Sequence, residues 1–409
     1  MSAAAQILLA PTWIVPKDTS ETIIREVVRE CERRYTSALR AIVLAGSMAR
    51  GEAAALAAGD AISIPGDAEF LLVFRRRSTL AAPAEIGALG DRISRSLRSR
   101  NIVCPVHLSG VTPGYLRRLP AHIFSYELRM SGKVVTGDRN ILTAIPEFQA
   151  REIERADAWH LLSNRMIEWL ELLASATDRR QPDIALFYAS VKLWMDAATS
   201  LLVFLREYEP SYQARAERLA ALARAPQPSG LPFPLQKLSA GVNAATSWKL
   251  MPEESAAERL GWDFCDQARR YAGILWCWEA AQLTGLDEAS APLTFLRSSR
   301  LKKSPWRGWL RTARECRRQH MREPRRRWWA LGRWGSPRQC IYAVAAECLL
   351  RSGDFQPSAE NGLVFELQAA KLRQFLPVPE PPIKEGRGWR PLVRELAWNY
   401  HEFVEKTRA

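Results

Sequence analysis

The chain lacks the paired cysteines from which most structural zinc sites are built. Its seven cysteines include no CxxC pair among 409 residues, which argues against a zinc site of the usual spacing. We therefore expect reduced cysteines, most of them buried in hydrophobic cores.

A long hydrophobic run without charges is also missing. The most apolar stretch, residues 184–205, carries Lys192 and Asp196 near its middle, and both side chains would be costly in lipid. The first residues have no basic segment and are interrupted by Pro11 and Pro16, unlike a secretory signal peptide. The sequence predicts a cytoplasmic protein without a transmembrane segment.

Positive charge is abundant but concentrated. The net charge is +14, and residues 297–338 hold fifteen Lys or Arg against Glu315 and Glu323. Five tryptophans lie in the same segment: Trp306, Trp309, Trp328, Trp329 and Trp334. Three interpretations stay open for it: a face for anionic lipid, a face for RNA, or helices that bury their tryptophans and expose their arginines.

The rest of the chain can be placed relative to residues 41–74, AIVLAGSMARGEAAALAAGDAISIPGDAEFLLVF. A short apolar run ends at Gly46 and Ser47, which is typical of a buried strand followed by a turn that a ligand can approach closely. A second apolar run, residues 70–74, predicts another buried strand.

Two acidic residues, Asp67 and Glu69, stand directly before and at the start of this second strand. Their two-residue spacing places both carboxylates on one face of the strand. Two such carboxylates repel each other unless a cation lies between them, and hard divalent cations prefer oxygen ligands. The pattern indicates metal-assisted phosphoryl transfer.

Together, Gly46-Ser47, a spacer, and Asp67-Ala68-Glu69 before an apolar strand resemble the signature of the nucleotidyltransferase superfamily. This superfamily includes DNA polymerase beta and the aminoglycoside nucleotidyltransferases. The resemblance implies that the Gly-Ser turn holds the triphosphate and that the two acids hold two Mg²⁺ ions. We expect Arg50, which follows the turn, to add hydrogen bonds to the phosphates. The spacer is longer than the common one, although some bacterial members carry a similar insertion. Residues 124–138, FSYELRMSGKVVTGD, are similar to the closing element of bacterial members.

A third carboxylate, which the next strand of this superfamily often supplies, has no counterpart here. Residues 101–109, the predicted third strand, contain no acid. His107 is the replacement on this strand that could accept a proton at neutral pH. Glu127 is a candidate for the missing acid if its helix turns toward the site.

Long helices are predicted after residue 146. The apolar spacing predicts an amphipathic helix over residues 152–174. It predicts a central bundle helix, apolar around most of its circumference, over residues 183–207. A further helix is predicted over residues 256–283. Lys192, in the central helix, either contributes its ammonium group to a triphosphate site or extends from the edge of the bundle into water.

These observations predict an α+β protein with a small mixed-sheet nucleotidyltransferase domain followed by a large all-α region. The predicted domains are residues 1–145, 146–290 and 291–409. The predicted reaction moves a nucleoside monophosphate from a nucleoside triphosphate such as ATP to a hydroxyl of an unknown acceptor and releases pyrophosphate. The alternative is a catalytically degenerate binding or regulatory protein whose basic segment contacts RNA or anionic membrane.

Overall fold

The computed structural model describes residues 15–58, 60–176, 182–226, 230–252, 256–287, 290–298, 305–319, 324–352, 361–378 and 389–405. A small mixed sheet near the N-terminus is followed by helices, which confirms the α+β class. The chain divides into two compact units. The first comprises Met1–Glu154, Arg206–Arg215 and Thr246–Glu253; the second comprises Arg155–Leu205, Ala216–Ala245 and Glu254–Ala409. The predicted domain boundaries at residues 145 and 290 stay predictions.

The first unit contains both strands and helices. They are α1 (Lys17–Tyr35), β1 (Leu39–Ala45), α2 (Gly46–Arg50), β2 (Leu56–Ala58), β3 (Ala61–Ser63), β4 (Ala68–Phe74), α3 (Pro83–Arg98), β5 (Ile102–Val103), β6 (Val106–Val111), α4 (Pro113–Leu116), α5 (Ile123–Ser131) and β7 (Lys133–Gly137). Among the described residues, β6, β4, β1 and β7 form one sheet in that order. Strand β1 is antiparallel to β4 and β7, whereas β4 is parallel to β6.

Alternate residues of β1 enter two different cores, as the two-residue period of a strand requires. Ile42 and Leu44 pack with apolar residues of α1 and α3 on one face of the sheet. Val43 and Ala45 pack on the opposite face with Leu128 of α5. Because both faces are covered, β1 reads in the sequence as a continuous apolar run.

The prediction of a single third strand over residues 101–109 is wrong, because this range contains two strands, β5 and the start of β6. β5 pairs with β3 in a small second sheet, whereas β6 pairs with β4 in the main sheet. Pro105 lies between them, and proline has no N–H to donate to a strand ladder. The spacer after the Gly-Ser turn contains the antiparallel pair β2 and β3.

The second unit is helical. Its helices are α6 (Arg155–Ser175), α7 (Ile184–Phe204), α8 (Tyr212–Arg224), α9 (Leu235–Leu250), α10 (Ala256–Thr284), α11 (Pro292–Phe295), α12 (Pro305–Arg318), α13 (Arg325–Gly332), α14 (Pro337–Arg351), α15 (Asn361–Arg373) and α16 (Trp389–Tyr400). Residues 212–215 of α8 and 246–250 of α9 belong to the first unit. The predicted helices at 152–174 and 183–207 are confirmed as α6 and α7. Helix α10 is interrupted at Gly261, where φ is 57°, a break that the sequence pattern does not predict.

Helix α7 is the helix of the described chain that has the length and hydropathy of a membrane span, and 83% of its most apolar window is buried within the protein. Such burial is typical of the core helix of a soluble bundle, as predicted.

Candidate functional site

Three strand ends meet at one edge of the main sheet. Strand β1 ends at Ala45, which lies opposite Glu69 near the start of β4. Glu69 in turn lies opposite His107 near the start of β6. The antiparallel and parallel pairings therefore bring Gly46, Asp67, Glu69 and His107, which are distant in sequence, to the same edge.

Gly46 turns the chain from β1 into α2 with a φ of 66°. This left-handed conformation favours glycine. A β-carbon placed on Gly46 would lie 3.1 Å from Cδ and Oε2 of Glu69. The turn predicted to hold phosphate and one of the two predicted metal ligands are therefore in direct proximity. Ser47 follows in α2 and is half-buried.

Asp67 and His107 form a pair at this edge. Nδ1 of His107 lies 2.9 Å from Oδ2 of Asp67, and the His107 side chain is 70% exposed. The hydrogen bond to Asp67 raises the pKa of His107, an effect that partial burial opposes. The imidazole thus combines a fixed orientation with access from solvent.

The surroundings of Glu69 disfavour its ionised form. Burial raises the pKa of Glu69, and the charges of Asp67 and Glu127 raise it further. Arg50 and His107 act in the opposite direction without cancelling the rise. A carboxylate in this position gains stability from any additional cation.

Arg50 does not extend into solvent. Its side chain is 5% exposed, and its guanidinium lies 2.8 Å from carboxylate oxygens of both Glu52 and Glu127. Burial disfavours the Arg50 cation, but Glu127, Tyr212 and Glu52 together raise its pKa above the usual value. In this structure Arg50 joins α2 to α5, and its predicted contact with phosphate stays a prediction.

Glu127 lies close enough to Glu69 for its charge to raise the pKa of Glu69, and its role as the missing acid stays a prediction. Besides Arg50, it accepts a hydrogen bond of 2.5 Å from the Tyr208 hydroxyl and lies 3.3 Å from the Arg215 guanidinium. The main-chain N–H of Tyr212 donates to Glu52 at 2.6 Å. Sequence reasoning missed the partners of Glu127 and Glu52 because residues 206–215, which supply them, follow α7 without any motif.

Lys192, also predicted to bind nucleotide, lies in α7 of the second unit. Its ammonium group is 4.9 Å from the centre of the Tyr188 ring. Its predicted role in a triphosphate site stays a prediction.

The carboxylates at this edge suit a hard divalent cation whose remaining ligands come from water and a substrate. Asp67 and Glu69 offer carboxylate oxygens, and because burial first, and the charges of Asp67 and Glu127 next, raise the pKa of Glu69, a bound cation would favour its ionised form. Within the described ranges no group of three His, Cys, Asp or Glu side chains is arranged to hold a metal ion. Mg²⁺ is commonly held by one or two carboxylates together with water and substrate phosphates, and these two carboxylates fit that mode.

The sequence matches no protein-family model and no curated protein.

Proposed function

We propose that the protein is a metal-dependent nucleotidyltransferase of the nucleotidyltransferase superfamily. It would transfer a nucleoside monophosphate from a nucleoside triphosphate to a hydroxyl of an acceptor and release pyrophosphate. The observation that carries the proposal is the meeting of the Gly46 turn with the Glu69 carboxylate, 3.1 Å from the position of a glycine β-carbon. A glycine in a left-handed conformation lets a phosphate approach the backbone closely. The neighbouring carboxylate pair can hold the Mg²⁺ that accompanies a triphosphate.

Each residue of this edge has a role in the proposal. The backbone and hydroxyl of Ser47, with the backbone of Gly46, bind the β- and γ-phosphates. Asp67 and Glu69 would hold Mg²⁺, which supplies neutralisation of negative charge on the attacking and leaving oxygens. Arg50, buried between Glu52 and Glu127, positions α2 and so the turn.

The proton of the acceptor hydroxyl goes to His107 in this scheme. The hydroxyl oxygen forms a bond to the α-phosphorus, and the bond from that phosphorus to the bridging oxygen of the β-phosphate breaks. Only the neutral imidazole can accept this proton, and because the hydrogen bond to Asp67 raises the pKa of His107, the neutral form becomes abundant at a higher pH than in a free histidine. Transfer should therefore accelerate with rising pH until His107 is neutral.

The test is magnesium-dependent nucleotide binding, because it needs no knowledge of the acceptor. A non-hydrolysable triphosphate analogue is titrated into the protein with and without Mg²⁺. We expect Mg²⁺ to tighten binding, and Asp67→Asn or Glu69→Gln to remove that dependence. Glu147→Gln is the matched control, since its side chain is 87% exposed. Equal binding with and without Mg²⁺, or a normal response in Glu69→Gln, would refute the metal assignment.

A second function, nucleotide binding without transfer, is favoured by the composition of β6. His107 stands beside Asp67 where the superfamily often has a third carboxylate, and Glu127 is engaged by two arginines. A protein that binds the triphosphate with Mg²⁺ but releases no pyrophosphate with any hydroxyl acceptor tested would be of this second kind.

A further inference from the structure

Helices α12 and α13 carry tryptophans in two opposite environments. Trp309 and Trp328 are 3% and 5% exposed, and each indole N–H donates to a backbone carbonyl 2.9 Å away. Trp306 and Trp329 are 44% and 66% exposed, and their ring centres lie 4.9 Å apart. The inward-packing interpretation therefore accounts for the first two tryptophans and leaves the second two to be explained.

The exposed pair is held in place by a close approach of the two helices. A β-carbon on Gly332 of α13 would lie 2.8 Å from the ring of Trp306, so the ring rests directly on the backbone of α13. Leu310 follows Trp306 by one helical turn and is 62% exposed, which places it on the same side of α12. Three large apolar side chains are thus displayed together.

Arginines accompany these apolar side chains. Arg307 and Arg314 flank Leu310 on the exposed side of α12 by three and four residues, and Arg326 precedes Trp329 by three on α13; all three are exposed. Helix α12 contains five arginines, and its acidic residue, Glu315, is 15% exposed and bonds to Gln319. We call Trp306, Arg307, Leu310, Arg314, Arg326 and Trp329 the arginine–tryptophan surface.

We propose that the arginine–tryptophan surface docks the protein on an anionic phospholipid membrane without spanning it. Tryptophan rings and a leucine suit the boundary between headgroups and acyl chains, and arginines beside them suit the headgroup phosphates. RNA fits less well, because single-stranded bases stack on open aromatic faces. Leu310 has no such face, and the rings of Trp306 and Trp329 lie against each other.

The experiment is co-sedimentation of the full chain with vesicles. We expect binding to vesicles that contain about one-third phosphatidylglycerol, and much weaker binding to phosphatidylcholine alone. Since one arginine near an anionic surface is worth about fivefold in affinity, replacing two of them, in Arg307→Glu with Arg314→Glu, should weaken binding by at least tenfold. Trp329→Glu should do the same. Arg95→Glu with Arg98→Glu, at two exposed positions of α3, is the charge-matched control for the double variant and should bind as the unaltered protein does.

Trp329→Leu separates lipid from RNA. It keeps an apolar side chain for the membrane but removes the aromatic face, so vesicle affinity should stay within about threefold. Equal binding to vesicles with and without phosphatidylglycerol would overturn the proposal, as would full binding by Trp329→Glu. Tight binding of single-stranded RNA that is lost in Trp329→Leu, without vesicle binding, would instead assign the surface to RNA. Circular dichroism confirms that each variant is folded.

Discussion

The carboxylate of Glu69 lies where Gly46 leaves room for it: a β-carbon on that glycine would be 3.1 Å from Cδ and Oε2 of Glu69. The same glycine has a positive φ, so two independent constraints act on one position. The relationship joins the end of β1 to the start of β4, the two parts of the chain that carry the motif.

Gly46→Ala should lower the free energy of unfolding by about 1–2 kcal/mol from backbone strain, plus a further loss from the contact with Glu69. Gly51→Ala is the matched control, because Gly51 has a φ of 77° but no atom within 4 Å of its β-carbon position. Denaturant unfolding of both variants measures the difference. If the contact with Glu69 causes the extra loss in Gly46→Ala, then in a Glu69→Ala background Gly46→Ala should cost no more than Gly51→Ala. Equal costs of the two glycine substitutions in the unaltered background would show that the contact with Glu69 has no effect.

Glu127→Gln should be strongly destabilising. Glu127 lies between Arg50 and Arg215, whose side chains are each 5% exposed. Removing its charge takes away the carboxylate that Arg215 contacts and leaves Arg50 with Glu52 alone, and breaking such a buried pair typically costs about 3–5 kcal/mol. Glu147→Gln, at an exposed position, should change the unfolding free energy by less than about 0.5 kcal/mol. A Glu127→Gln variant of normal stability that binds nucleotide but transfers nothing would instead assign this residue to the chemistry.

Glu279 should make the protein less stable as pH rises. The residue is fully buried, its two carboxylate oxygens have no hydrogen-bond partner among the described residues, and burial raises its pKa well above 4.5. The adjacent Ser200 hydroxyl opposes this rise without offsetting it. The folded state thus binds a proton that the unfolded state releases, so the contribution of Glu279 is most favourable below pH 4.5 and declines toward its folded pKa.

Glu279→Gln tests this sign. The stability of the variant relative to the unaltered protein should increase by about 1.4 kcal/mol per pH unit in that range, measured by denaturant unfolding at several pH values. Glu347→Gln provides the contrast, since Glu347 is paired with Arg351 at 3.2 Å and its replacement should destabilise. A difference between Glu279→Gln and the unaltered protein that does not vary with pH would show that Glu279 keeps its ordinary pKa.

Trp328 and Trp329 are neighbours in sequence, but we expect their replacement by alanine to destabilise the protein to very different extents. Trp328→Ala should cost about 3–5 kcal/mol because it opens a cavity in a packed core and removes an indole hydrogen bond. Trp329→Ala should cost less than about 1 kcal/mol, since 66% of the residue is exposed. Thermal unfolding of the two variants compares them directly. Similar losses would mean that Trp329 is buried in solution, and would also undermine the arginine–tryptophan surface.

The sequence predicts the elements of the site better than their partners. Three of the proposed site residues could be identified because they border apolar runs. Gly46 follows the first run, and Asp67 and Glu69 precede the second, where the two-residue period of a strand places both carboxylates on one face. Arg50 could be identified but not its full environment, because Tyr212, whose ring centre lies 4.8 Å from its guanidinium, belongs to residues 206–215, which carry no local pattern. Long helices such as α6 were predictable from periodicity, whereas the break at Gly261 depends on one φ angle that periodicity does not encode.

The composition of the first unit has a consequence for how the protein is made. Glu52 and Glu127 emerge from the ribosome early, but Tyr208, Tyr212 and Arg215, which satisfy them, belong to the same unit and are synthesised only after α7. The nascent N-terminal part must therefore wait through more than fifty residues of the second unit before Glu52 and Glu127 gain these partners. A fragment that stops at residue 154 would leave both acids without them, so we expect it to be less stable than the same fragment supplied with residues 206–215.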